Sequence, residues 1–255
     1  MQVLFCAGGF VLPMFLGQLV LTGQARNLWP VLPRWTLARI AVTLLNGTLG
    51  AYAFSVLPLA EAYAVFFLMP ILISALAVPM LGEPMDGPRL LAILAGLAGV
   101  AVALQPGVTV LGTGHLAALA AAALGAMNYV IIRKTSSVEQ PGVILLYPTI
   151  AQFLAVGAVM PWVWVPMDAG QVGLTFLMAV QLFIGGYAIV TAYRKAAALV
   201  VAPMQYSQII WAAVLGWVLF GQSIGPMTGL GTGIIVASGL FLLVRSNGQP
   251  TVSAA

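Results

Sequence analysis

Residues Leu57 to Gly107 read LPLAEAYAVFFLMPILISALAVPMLGEPMDGPRLLAILAGLAGVAVALQPG. Two long apolar runs flank one short polar turn, Gly82-Glu83-Pro84-Met85-Asp86-Gly87-Pro88. Neither run alternates apolar with polar residues, so both read as continuous apolar helices and not as barrel strands. The pattern has an echo 139 positions later. Without a gap, Leu81-Gly82-Glu83 falls on Phe220-Gly221-Gln222, Ala53 on Ala192, Phe54 on Tyr193, Leu76 on Leu215 and Gly99 on Ser238. Matching turns and run lengths point to an internal duplication, and a duplication decides the architecture.

Composition sets the class. The 255 residues are 62% hydrophobic and 5% charged, with a mean hydropathy of +1.09. Soluble domains carry about 25% charged residues, and so few charges cannot clothe a core in water. The solvent is therefore lipid, which a chain crosses as helices of ~20 apolar residues or as a closed barrel. Nine apolar runs can be marked, at 2–22, 36–56, 59–81, 89–105, 114–132, 142–165, 173–193, 198–220 and 227–244. The first is not a signal peptide, since no Lys or Arg precedes it. The last ten residues, SNGQPTVSAA, are small and polar and read as a disordered tail. Cys6 is the single cysteine, which excludes an internal disulfide and a cysteine-based zinc site.

With nine crossings, alternate loops collect Arg26, Arg34, Arg39, Arg89, Arg133, Lys134, Arg194, Lys195 and Arg245, and the opposite loops carry no basic residue. Basic residues beside helix ends stay in the cytoplasm, so the C-terminus is expected inside and Met1 outside. The net charge of +4 is thereby explained by topology and not by nucleic acid. Runs two, three and four align with seven, eight and nine, and run one pairs with run six. Run five has no partner. Five crossings separate equivalent helices, so the repeats are expected to be inverted in the membrane. The chain thus reads as nine visible helices of a ten-helix pair of inverted five-helix repeats, the first helix being expected before Met1. The expected division is 1–107 for the first repeat, 112–245 for the second and 246–255 for the tail.

At these residues the chain resembles a known family. Leu57 to Glu83 is similar to the first-repeat signature of EamA-type transporters of the drug/metabolite transporter superfamily. Ala198 to Gln222, ALVVAPMQYSQIIWAAVLGWVLFGQ, is similar to the second. The resemblance implies ten helices in two inverted repeats, both termini inside, and a central cavity. The sequence departs from the family pattern in three places. The first helix is absent, Gln222 stands where an acid often closes the second signature, and Cys6-Ala7 stand where an early Arg is often found.

Several side chains are candidates for a substrate cavity. Glu61 lies in the first turn after Pro58, where a carboxylate suits a helix start; an acid near the hydrocarbon is also a candidate coupling or amine-binding group. Gln205, Gln208 and Trp211, with Tyr206, stand in the middle of run eight, where uncharged donors and acceptors fit either a cavity or helix-to-helix bonding. Tyr63, Phe67 and Pro70 lie in run three, and Pro70 removes one backbone bond there. Asn128 and Tyr129 in run five, and Gln181 and Tyr187 in run seven, are further polar candidates, each of which taken singly fits packing better. Glu83 and Asp86 are expected to cap run four and pair locally with Arg89. His115 reads as an interface residue. Glycines of runs four and nine let helices approach closely, and by the resemblance such helices also bear homodimer contacts.

The expected function is a secondary transporter (permease) moving a small organic metabolite or drug-like solute across the inner cell membrane by alternating access. The alternatives are a truncated or non-transporting paralogue or helper subunit, and an intramembrane enzyme. One His and one acid inside the membrane supply no usual catalytic constellation, so no catalytic residue, metal or cofactor is expected.

Overall fold

The computed structural model describes residues 2–23, 28–57, 59–104, 112–208 and 226–246, together with Trp211, Val214 and Val218. At some helical positions, Glu61 among them, only the backbone is described. Arg26, Pro58, the loop 105–111, the Phe220-Gly221-Gln222 echo and the polar tail after Ser246 lie outside the described residues.

All regular structure among the described residues is helical. The helices are α1 (Gln2–Leu21), α2 (Pro33–Val56), α3 (Leu59–Phe66), α4 (Met69–Leu81), α5 (Gly87–Leu104), α6 (Thr113–Thr135), α7 (Pro141–Gly157), α8 (Met160–Val163), α9 (Ala169–Lys195), α10 (Ala198–Val201) and α11 (Pro226–Ser246). A 3-10 segment, Ala202–Tyr206, follows α10 directly. Four of these, α1, α2, α6 and α9, are long and apolar enough to cross a membrane, and shorter apolar helices accompany them. The protein is an all-α, multi-pass membrane bundle.

Three apolar runs are broken, and proline chemistry accounts for where. A proline has no N–H to give the carbonyl four residues back. Pro70 would owe that bond to Phe66 and Pro161 to Gly157, and α3 and α7 end at those two residues. In each case the proline sits in the first turn of the next helix, where a missing N–H costs nothing. Pro203 likewise opens the 3-10 segment. Proline is not sufficient, however, since Pro13, Pro79 and Pro148 lie inside unbroken helices.

The polar turn behind α4 is built locally in part. Gly82 adopts a left-handed φ of 68° and closes α4 by donating its N–H to the Val78 carbonyl at 3.1 Å. Asp86 Oδ1 accepts the Arg89 N–H at 3.0 Å, capping α5, and Arg89 Nη1 donates to the Pro84 carbonyl at 3.1 Å. Glu83 departs from the sequence expectation. Its Oε1 accepts the N–H of Ala198 at 2.9 Å and its Oε2 that of Leu199 at 3.1 Å. The cap it supplies belongs to α10, 115 residues away.

The chain forms two compact units, Met1–Leu45 with Ile131–Lys195, and Asn46–Val130 with Ala196–Ala255. In the first, α1 buries Ala7, Val11, Phe15 and Leu19, a stripe at four-residue spacing. Rings fill its joints. Phe5 stacks on Phe153 at 4.6 Å between centroids, and Phe15 meets Phe183 at 5.2 Å and Tyr187 at 5.7 Å. The Tyr187 hydroxyl donates to Gln18 Oε1. Glu139, almost fully buried, accepts the N–H of Leu32 at 2.6 Å just before α2.

The second unit is held by close backbone approach. A Cβ added at Gly99 would lie 2.9 Å from the Gly231 carbonyl oxygen and 3.0 Å from Ile235. A Cβ at Gly96 would lie 2.8 Å from the ring of Tyr206 and 3.1 Å from Ser238 Oγ. Glycine is required at both places because lipid offers no hydrophobic drive between helices, leaving contact itself to hold α5 on α11. Nearby, Ala53, Ala117 and Ala118 form a core with Leu49, Leu57 and Val65.

Candidate functional site

All eight sequence candidates fall in the second unit. The break between α3 and α4 and the 3-10 segment after α10 define the site. Tyr63 lies on α3 and Phe67 on the turn that follows, their rings 6.2 Å apart. Phe67, buried, faces Tyr206 at 6.4 Å. Phe54 of α2 extends the series, 5.5 Å from Tyr63 and 5.2 Å from Phe66. A continuous row of rings thus runs from Tyr63, 44% exposed, to Tyr206, 1% exposed. Pro70 is buried in the first turn of α4, and its carbonyl accepts the Ser74 hydroxyl at 2.8 Å.

At the buried end stand two polar groups. Gln205 Nε2 and the Tyr206 hydroxyl are both shielded from solvent and have no hydrogen-bond partner among the described residues. Each such group costs about 1–3 kcal/mol if left unpaired, so both call for a partner that the described residues do not supply. Both residues lie in the 3-10 segment that interrupts the run.

The remaining candidates are placed as follows. Asn128 is half-buried on α6, one turn beyond Gly125, against whose Cα the Met69 side chain packs. Gln208 is exposed and Trp211 is 63% exposed. Glu61 stands on α3, and its side chain lies outside the described residues. The structure therefore joins Tyr63, Phe67 and Gln205 through Tyr206, with Pro70 behind them. Tyr206, Phe54 and Phe66 complete the site, and Tyr206 had a legible signal, since it is the 139-position echo of Phe67.

Elsewhere, His115 Nδ1 accepts the Gly112 N–H at 3.2 Å at the start of α6. No group of three or more His, Cys, Asp or Glu side chains stands together among the described residues. The site offers an aromatic face, an amide and a hydroxyl, which is equipment for holding a solute.

Comparison with known proteins agrees in kind. Over 213 residues the chain is 25% identical to a riboflavin transporter of Vibrio cholerae serotype O1, a match covering 82% of this chain and 70% of that protein. A solved structure described as "Crystal structure of protein" superposes with a TM-score of 0.79 at 19% identity, covering 96% of this chain and 88% of the other. That likeness shows the fold alone. No family model matches the chain. The similarity to a transport protein supports a membrane-transport role in general.

Proposed function

We propose that the protein is a secondary transporter of the EamA type that carries a small organic solute across the cell membrane by alternating access, and that this solute presents a planar ring. The observation that carries the reading is the row of rings ending, at a helix break, in two polar groups without a partner among the described residues. In membrane carriers, interrupted helices are where solutes bind, because the freed backbone and inward side chains can replace water. A planar ring fits an aromatic face, and acceptor atoms on its edge would take the Gln205 amide and the Tyr206 hydroxyl. Riboflavin, the solute in the relative's name, is a solute of this kind.

An inverted repeat is supported by reciprocal contacts. Gly96 and Ile235 are 139 positions apart, as are Gly99 and Ser238. Gly96 approaches Ser238, and Gly99 approaches Ile235, so the two contacts exchange under the repeat. Phe67 and Tyr206, another such pair, meet each other. Residues exchanged by a twofold meet where its axis passes.

The test uses purified protein in liposomes. Flavin is fluorescent, so riboflavin uptake can be followed directly, and we expect uptake above protein-free liposomes that Gln205→Leu reduces by about tenfold, the worth of one hydrogen bond. Riboflavin uptake at the protein-free rate, with a panel of other ring-bearing solutes equally silent, would sink the reading. Topology is checked in a Cys6→Ser background. A cysteine at Ala169 should react with an impermeant thiol reagent from outside and one at Ser137 from inside, and the opposite pattern would invert the orientation.

A further inference from the structure

We infer that Glu83 is a positioning residue for transport, a latch that pins the start of the broken helix carrying Gln205 and Tyr206. The inference rests on the transport reading above. Four observations carry it. Both carboxylate oxygens of Glu83 are engaged, one on the Ala198 N–H and one on the Leu199 N–H. Charge-assisted bonds of this type are roughly twice as strong as neutral ones. The two bonds tie the α4–α5 turn to the start of α10 through one side chain. Ala197, immediately before, is extended (φ −61°, ψ 148°), so α10 begins abruptly and its first amides need an external acceptor.

The helix so pinned is short. α10 holds four residues before the backbone changes to 3-10 geometry at Ala202. A segment of that length has little helical stability of its own. Its placement therefore depends on its neighbours: Glu83 holds the start, and Tyr206 lies on Gly96 at the far end of the 3-10 segment. Releasing Glu83 frees the start of α10 and so lets the segment that carries Gln205 and Tyr206 shift. Gly82, in its left-handed conformation, aims the carboxylate: the chain reverses there, one residue before Glu83.

Alternating access needs a contact that forms in one state and opens in the other. A carboxylate on two backbone amides is suited to this, since both partners are well solvated when apart. Loss of the latch is then expected to favour the state in which the 3-10 segment is open on the face bearing Arg89.

The experiment reads that opening without any substrate. In a Cys6→Ser background, a cysteine replaces Met204, a half-buried residue of the 3-10 segment. Its reaction with an impermeant maleimide is timed in vesicles of each orientation. Glu83→Gln, which keeps the shape and one acceptor oxygen, should raise the labelling rate from one face by about tenfold, and Glu83→Ala by more, in line with the loss of one and then two charge-assisted bonds. Glu83→Gln should also lower the maximal rate of riboflavin uptake more than it alters the half-saturating concentration. A merely structural Glu83 would lower thermal stability in detergent and raise labelling from both faces alike. Unchanged labelling in both variants overturns the latch, and equal labelling from the two faces overturns it too. If Glu83→Ala fails to fold, Glu83→Gln alone decides. Labelling that follows the latch in a protein that takes up no solute would instead overturn the transport reading and leave the latch standing.

Discussion

Tyr187 and Tyr206 are both tyrosines in the middle of apolar runs, one in each compact unit. Tyr187 donates its hydroxyl to Gln18 and packs among Phe15 and Phe183. Tyr206 is more deeply buried, and its hydroxyl has no partner among the described residues. The neighbouring glutamines follow suit, since Gln18 is paired and Gln205 Nε2 is not. Residue type within a membrane run therefore does not separate these two tyrosines, and the pairing of their hydroxyls does. The units differ in the same way in how helices meet, rings filling the joints of the first and glycines closing those of the second.

The largest effect expected from breaking this contrast is in the glycines. Gly99→Ala drives a methyl against the Gly231 carbonyl, which is backbone and cannot yield, and should destabilise by about 1–3 kcal/mol. Gly142→Ala in the first unit meets the tip of the Leu19 side chain, which can turn away. Thermal unfolding in detergent should show a clear drop for the first and a smaller one for the second. The reverse order would mean that α5 and α11 are not held by close approach.

Next in size is Tyr187→Phe. It leaves Gln18 without its donor and should cost about 1 kcal/mol, typical of a polar contact inside a membrane bundle. Uptake should follow stability and show no separate defect. Smallest in stability is Tyr206→Phe, which removes a hydroxyl that has no partner among the described residues and should leave the melting temperature unchanged or slightly raised. Its effect should be confined to solute binding. A stability loss as large as that of Tyr187→Phe would show that Tyr206 has a structural partner and erase the contrast.

The sequence made the helices legible because lipid leaves the backbone no other choice. Among the described residues eight of the apolar runs fall on helix, two of them as broken pairs, with ends that agree within a few residues, and run eight is described only as far as its 3-10 segment and the residues just after it. The breaks were half legible. Pro70 foretold the one in run three, but Pro13 and Pro148 would have foretold breaks that do not occur, because neighbouring packing decides whether a lost bond bends the helix. Asp86 was legible as the cap of α5, its partner being three residues away. Glu83 was not, because an acid beside a helix start always looks local, and nothing in the order of residues marks Ala198 as its partner. The site was legible as polar and aromatic residues in runs three and eight. Which of them lack partners was beyond reach of the sequence, because a partner is a matter of packing.

The Glu83 bonds also impose an order in time. Chains are made at roughly 5–20 residues per second, and 115 residues lie between Glu83 and Ala198. The carboxylate thus emerges on the order of ten seconds before its N–H donors exist. Neither α3, with 8 residues, nor α4, with 13, is long enough to cross the bilayer alone. The two must therefore enter the bilayer as one bent piece, with the carbonyl that Pro70 leaves unserved already inside. For that interval the nascent protein carries the α4–α5 turn with a carboxylate that has nothing to close on. The joint that carries Gln205 and Tyr206 is thus among the last to be assembled, and mistakes in insertion will be felt there first.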